Sequence, residues 1–341
     1  MTGRSGPDEP LIVQRYRALL RILPPSYRAA REEEMIAVFA ESVGDTEDDA
    51  LGRPDLAETA SVVALATRVW FGGLGAPPRL FAFGQTVRLF ALVGALAQAI
   101  LAGAGALGLL DVVFFGSDDA RDVLRTANAG SSRIDVAGHV AWNLLDLLWI
   151  PVYVTVVRGR RRAARLLAIP AALPLLIRLT VPFVWSWSTV AAVLVPVSVP
   201  ALAIAVAFHR DAPPVRPVGG LAAVPAGAVA LFAAGRLFPS LVPDPDGVYC
   251  WVALGAGAVC LVRSRSSADR ALGHRSLAVA LYAVLILAVR IHSAGAAGPL
   301  PYAGPVVYGQ VAALLLLAGA LPVVAVRTLR RAGPAPHRRP G

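Results

Sequence analysis

Residues 88–111 read RLFALVGALAQAILAGAGALGLLD. No charged residue lies between Arg88 and Asp111, and the one strongly polar side chain is Gln98. A helix rises about 1.5 Å per residue, so about twenty such residues cross the roughly 30 Å hydrocarbon core of a bilayer. The small residues of LAGAGALG allow close packing against other helices. Seven similar runs follow, at 136–157, 164–184, 188–208, 217–237, 247–262, 276–292 and 305–327. The eight runs predict a transmembrane domain over residues 86–327. The fold class is therefore all-α: a polytopic membrane helix bundle of about eight transmembrane helices, with a small N-terminal cytosolic three-helix domain.

Composition agrees. The chain is 56% hydrophobic and 16% charged, with a mean hydropathy of +0.63. Soluble domains carry about 25% charged residues, so the deficit points to a lipid solvent. All 32 basic residues are Arg. They sit in short loops between apolar runs, a pattern of membrane topology and not of nucleic-acid binding. Residues 1–80 carry 9 Arg against 12 acidic residues, whereas the rest carries 23 Arg against 10 Asp. Every Glu lies at or before Glu58. That shift marks a boundary after residue 80, and the basic segment 328–341 is read as a disordered cytosolic tail. The start MTGRSGPDEP is polar and shows no signal peptide. Cys250 and Cys260 stand ten residues apart in one predicted helix, about 15 Å, too far for a mutual disulfide.

Three helices are expected in residues 1–80. In the first, Ile12, Tyr16, Leu19, Leu20 and Leu23 share a face. Pro24-Pro25 ends it, and Ser26 suits the next N-cap. The second turns Tyr27, Ala30, Met35, Val38 and Phe39 inward, and its Arg28 and Arg31 stand within reach of Glu32 and Glu34. The third opens at Asp55 with Glu58 three residues on, a variant of the capping box. Its stripe is Leu56, Ala60, Val63, Thr67 and Trp70, and Gly72-Gly73 ends it. An alternative lays this helix along the membrane surface through Val69, Trp70 and Phe71.

The stretch RYRALLRILPPSYRAAREEEMIAVFAE carries Leu19, Leu20, Arg21, a break at Pro24, Tyr27 and Arg28, then Glu33, Glu34 and Met35. In this it resembles the helical permease-prefix-type domain that precedes the membrane part of some bacterial permeases and of multi-pass proteins of high-GC bacteria. The resemblance covers about a fifth of the chain. It implies a regulatory or docking role for residues 1–80, with Arg28, Arg31, Glu33 and Glu34 as candidates for contact with a cytosolic regulatory protein. Permeases of that type carry a large extracytoplasmic domain between early membrane helices, and no loop here is long enough for one.

Arginine counts orient the chain. With residues 1–80 inside, the inner segments 158–165, 209–216, 263–275 and the tail from 327 hold sixteen Arg. The outer segments 112–135, 185–188, 238–246 and 293–304 hold three. The positive-inside rule then puts both termini in the cytoplasm of a cell (inner) membrane, as an even number of spans requires.

Candidate sites follow from polar groups inside the apolar runs, where charge is expensive. His139, Asn143 and Asp146 share one face of the second span, and Arg178 in the third is the natural partner of Asp146. This set is either a buried ion pair fixing helix register or a ligand or proton site. Arg236 and Arg290, with Arg178, lie toward the outer side. They either converge as an anion site or extend separately toward the interface. Gln98 and Gln310 are candidates for interhelical hydrogen bonds. Pro170, Pro174, Pro182, Pro196, Pro200 and Pro225 fall inside predicted helices. The loop FGSDDARD (115–122) is read as solvated, and no metal or cofactor is expected. Nucleotide-binding, zinc-protease and hydrolase motifs are absent. A charged head on a membrane body suggests regulation or signalling through a docked cytosolic protein. Two other readings stay open: a transporter or permease subunit using Asp146 and Arg178, and a membrane enzyme acting on a lipid-linked substrate at the outer arginines. Oligomeric state is not legible.

Overall fold

The computed structural model describes residues 10–43, 54–73, 75–116, 144–180, 187–209, 212, 220–238, 245–266, 270–296 and 304–331. Every regular element among them is helical. They divide into two compact units, one built from residues 1–85 with 206–213 and the other from 86–205 with 214–341.

In the first unit, α1 (Leu11–Leu19) tightens into a 3-10 turn (Leu20–Ile22) and is followed by α2 (Pro25–Val43) and α3 (Leu56–Trp70). The start of α2 corrects the expected cap. The carbonyl of Pro24, not Ser26, receives the first helical bonds, from the Tyr27 and Arg28 amides at 3.0 Å each. Pro25 then occupies the first helical position, where a missing N–H forfeits nothing. By contrast, α3 opens as expected: the Asp55 carboxylate accepts from the Ala57 amide at 3.1 Å. It ends at Trp70, and Gly72 takes a φ of 79°, a conformation that glycine adopts without a Cβ penalty.

Ile12, Val13, Tyr16, Leu20, Leu23, Ile36, Phe39, Val62 and Ala66 form the core of this unit. Tyr16 stacks on Phe39 with ring centroids 3.9 Å apart, and its hydroxyl donates to Glu58 Oε1 at 3.1 Å. Trp70 Nε1 donates to the Ile22 carbonyl at 2.9 Å, tying the end of α3 to the 3-10 turn.

Two of the expected stripes are displaced. On α2 the buried residues are Ile36 and Phe39, whereas Val38 is 62% exposed and Ala30 is exposed. Val38 lies about 100° round the helix from Phe39, while Ile36, three residues away, shares its face. On α3 the inward residues are Val62, Ala66 and Val69, and Leu56, Val63 and Trp70 are exposed. Apolar residues run along two sides of α3, so periodicity alone leaves two choices. Glu58 decides between them. It shares a face with Val62, Leu65 and Val69, and its bond to Tyr16 turns that face inward.

Eight further helices follow: α4 (Pro78–Phe115), α5 (Trp149–Val157), α6 (Arg161–Thr180), α7 (Trp187–Ala207), α8 (Ala223–Leu237), α9 (Pro245–Ser266), α10 (Arg270–Ala296) and α11 (Gly304–Arg331). Among the described residues, Pro78–Asp111, Gly247–Arg265, Ala271–His292 and Gly304–Arg331 are long and apolar enough to cross a membrane. Leu144–Val157, Val195–Ala207 and Ala223–Leu237 are apolar but shorter. The first residues of α4 and the last of α7 belong to the first unit and the remainder of each to the second.

In the second unit α5 packs on α6, and α9, α10 and α11 each pack on the other two. On α11 the buried stripe is Gln310, Leu314, Leu317, Leu321, Ala325 and Thr328, at helical spacing. Its other face exposes Leu315, Leu316, Val323 and Val326. A helix as apolar outside as inside suits lipid and not water. Cys250 and Cys260 are buried in α9 and form no disulfide with each other, as their spacing predicts.

Candidate functional site

The best-defined polar site within the second unit lies at the middle of α4. Proline has no N–H, so Pro200 in α7 supplies no helical bond to the carbonyl of Pro196 four residues earlier. Gln98 of α4 fills that role: its Nε2 donates to the Pro196 carbonyl at 3.2 Å. The same amide meets the Tyr249 hydroxyl of α9 at 3.1 Å from Nε2 and 3.3 Å from Oε1. One turn before Gln98, Gly94 stands against the Pro200 ring, where a Cβ would collide with the ring carbons. The pair Gly94 and Gln98 therefore fits both the bulk and the freed carbonyl of this proline. Gln98 is 4% exposed and Tyr249 is 5% exposed, so these bonds form away from solvent, where an unmatched carbonyl is most expensive.

Gln98 behaves as the interhelical link expected of it, and Pro196 and Pro200 lie inside a helix as expected. Tyr249 and Gly94 were not legible as members. A tyrosine near the start of an apolar helix reads as an interfacial residue, and a glycine in an Ala/Gly-rich run reads as composition. The available signal was the spacing Gly94 to Gln98, one turn, beside a proline whose carbonyl partner was missing. Gln310, the other expected link, is 3% exposed, and among the described residues neither end of its amide meets a hydrogen-bond partner.

The ionisable candidates are distributed differently. Asp146 is half-buried and sits just before a tightening of the chain. There the Leu148 amide reaches the Leu145 carbonyl at 3.0 Å and the Ile150 amide reaches Leu147 at 3.1 Å, three-residue steps in place of four. Such steps mark a change of helical phase. From Trp149 onward the buried face is Trp149, Val152, Tyr153 and Val156, with Ile150 half-buried. His139 and Asn143 lie outside the described residues. The backbone of Arg178 lies in α6, and its side chain is outside the described set. Arg236 at the end of α8 is exposed, with Nη2 3.5 Å from Asp111 Oδ2 of α4. Arg290 in α10 is 1% exposed, so it does not extend to the surface. Arg88, the residue that opens the first apolar run, is also fully buried. The loop FGSDDARD lies mostly outside the described residues, and among those described no His, Cys, Asp and Glu cluster could hold a metal.

On the first unit, Arg17 bridges from α1 to Glu33 at 2.9 Å and Glu32 at 3.7 Å. Arg31 pairs with Glu34 at 3.5 Å, while Arg28 is half-buried. Arg17 and Glu32 are mostly buried, whereas Arg31, Glu33 and Glu34 are largely solvated; an exposed pair such as Arg31–Glu34 is worth about 0–1 kcal/mol, so those three charges remain available to a partner. The unit also takes in part of the 206–213 segment after α7. His209 is buried and its Nε2 lies 3.4 Å from the Phe71 carbonyl, a contact that requires the proton on that nitrogen.

Compared with known proteins, the chain matches no protein-family model, no curated protein and no solved structure.

Proposed function

We propose that the chain is a regulatory or signalling protein of the inner membrane, in which a prefix-type cytosolic head docks a soluble partner and acts on an eight-span body. The observation that carries this reading is the make-up of the first unit. The head has its own core, yet it includes His209 from the segment that follows α7. A partner held on Arg31, Glu33 and Glu34 therefore has a covalent route, through that segment, to the proline-bearing helix that Gln98 braces.

The alternation of the first five runs gains support from which helix ends meet. His209 and Phe71 both belong to segments assigned to the inner side. Tyr153 donates to the Gly220 carbonyl at 3.0 Å, joining the inner ends of the second and fifth runs. Asp111 and Arg236 join the outer ends of the first and fifth. An odd shift in topology would oppose these ends across the bilayer.

The test is affinity capture with the detergent-solubilised full chain and with a variant carrying Arg31→Glu, Glu33→Arg and Glu34→Arg. A cytosolic protein bound by the first and lost by the second is the expected result. Equal capture by both, or none by either, would count against docking.

The transporter reading is favoured by one observation, the phase change beside Asp146, since ionisable groups next to irregular backbone line solute paths in membranes. Its test is dissipation of an imposed proton gradient in proteoliposomes, lost in Asp146→Asn with unchanged insertion. The enzyme reading has no comparable support, because Arg236 is exposed beside Asp111 while Arg290 is buried.

A further inference from the structure

The side of α3 that does not enter the core is itself apolar. Leu56 is 85% exposed, Val63 47% and Trp70 42%, with exposed Ala60 and half-buried Thr67 between them. Positions 56, 60, 63, 67 and 70 step by four and three, so they form one stripe along the whole helix, about 20 Å long. At 100° per residue the stripe flanks the buried face of Val62, Ala66 and Val69. The remaining flank holds Ala57, Ser61, Ala64 and Arg68, which are small or polar. In water such an exposed stripe marks an interaction surface.

Its neighbour identifies the occupant. The turn after α3 packs directly on the first turns of α4. Gly84 makes this possible, because a Cβ there would collide with the Phe71 carbonyl. The Phe71 and Phe83 rings pair at 5.9 Å. From that point α4 continues as the membrane-crossing segment Pro78–Asp111. Phe81 and Phe83 are 41% and 47% exposed, and Arg79 is exposed beside them. Exposed aromatic rings and arginine at the entry of a spanning helix are characteristic of the headgroup region. The stripe ends at Trp70, next in sequence to Phe71, whose ring meets Phe83 at the start of the helix that is long and apolar enough to cross a membrane.

We infer that α3 lies on the cytoplasmic leaflet, with Leu56, Val63 and Trp70 seated at the boundary between headgroups and acyl chains. The docked face holds the head close to the membrane and leaves the charged residues of α2 for a soluble partner. The inference rests on α4 entering a bilayer and not on the regulatory reading.

The test uses the full chain with Cys250→Ala and Cys260→Ala, reconstituted in nanodiscs of phosphatidylcholine and phosphatidylglycerol. Single nitroxide labels are placed at Leu56→Cys, Val63→Cys and Ser61→Cys. All three native side chains are exposed, so labelling does not disturb the core. Labels at 56 and 63 should collide more with oxygen and several-fold less with a water-soluble nickel chelate than the label at 61. Equal nickel accessibility at all three positions would overturn the inference. Shielding of 56 and 63 from both reagents would overturn it too, since a protein surface such as a second copy would then cover the stripe.

Discussion

Gln98 shows how a single polar side chain in a spanning helix is decided by its surroundings. The residue was conspicuous in the sequence as an amide within an apolar run, but its task was not, because the carbonyl that it serves belongs to another helix 98 residues away. Replacing Gln98 by Leu leaves the Pro196 carbonyl without its donor and should lower stability by about 1–3 kcal/mol. With Pro200→Ala also in place, the restored amide can bond that carbonyl, and the cost of Gln98→Leu should fall by about 1 kcal/mol. Thermal unfolding of the four proteins in one detergent measures this coupling, and additive effects would refute the assignment. Tyr16 supplies a second test at this scale. Burial first, then its bond to ionised Glu58, pushes its hydroxyl from 10.0 up to about 12. The folded head thus holds the proton more tightly than the unfolded chain does. The resulting stability is complete below pH 10 and is lost as the pH rises toward about 12. Unfolding of the head followed across that window should show a downward slope, shallower in Tyr16→Phe.

The elements were legible where capping and breaking residues fixed them, and less so where only apolar periodicity was available. Asp55 and the glycines beyond Trp70 bounded α3 correctly. Asp55→Ala should accordingly cost the head about 0.5–2 kcal/mol, read as a lower unfolding temperature. The start of α2 went to Pro25 because proline prefers the first helical position, which outweighed the capping preference of Ser26. The inward face of α3 could not be read locally, since Val62 and Val63 lie on adjacent sides and the choice depends on the distant Tyr16. The same limit applies to α4. Gly94 reads as ordinary composition until Pro200 is seen against it. Gly94→Val should therefore destabilise the body by about 1–3 kcal/mol through overpacking, more than the same change at Gly105, which has open space beside it. Comparison of the two unfolding temperatures checks this.

For the whole molecule, composition and the long apolar runs made the all-helical character and the membrane-spanning helices legible. What sequence could not show is that His209, far along the chain, joins the head's unit, because no local pattern encodes a contact between segments 138 residues apart. Nor could it place Arg290, whose burial depends on the packing of α10 with α9 and α11. The central claim is an even-span body with the head and both termini on the cytoplasmic face. Side-specific labelling tests it most directly, with Cys250→Ala and Cys260→Ala as background. Single cysteines replace Ala30, Ser131, Arg160 and Arg331, and an impermeant maleimide is applied to intact spheroplasts and to inverted vesicles. Cysteines at 30, 160 and 331 should label only in inverted vesicles, and the one at 131 only in spheroplasts. Labelling of 30 and 331 from opposite sides, or of 30 from outside, would contradict the account.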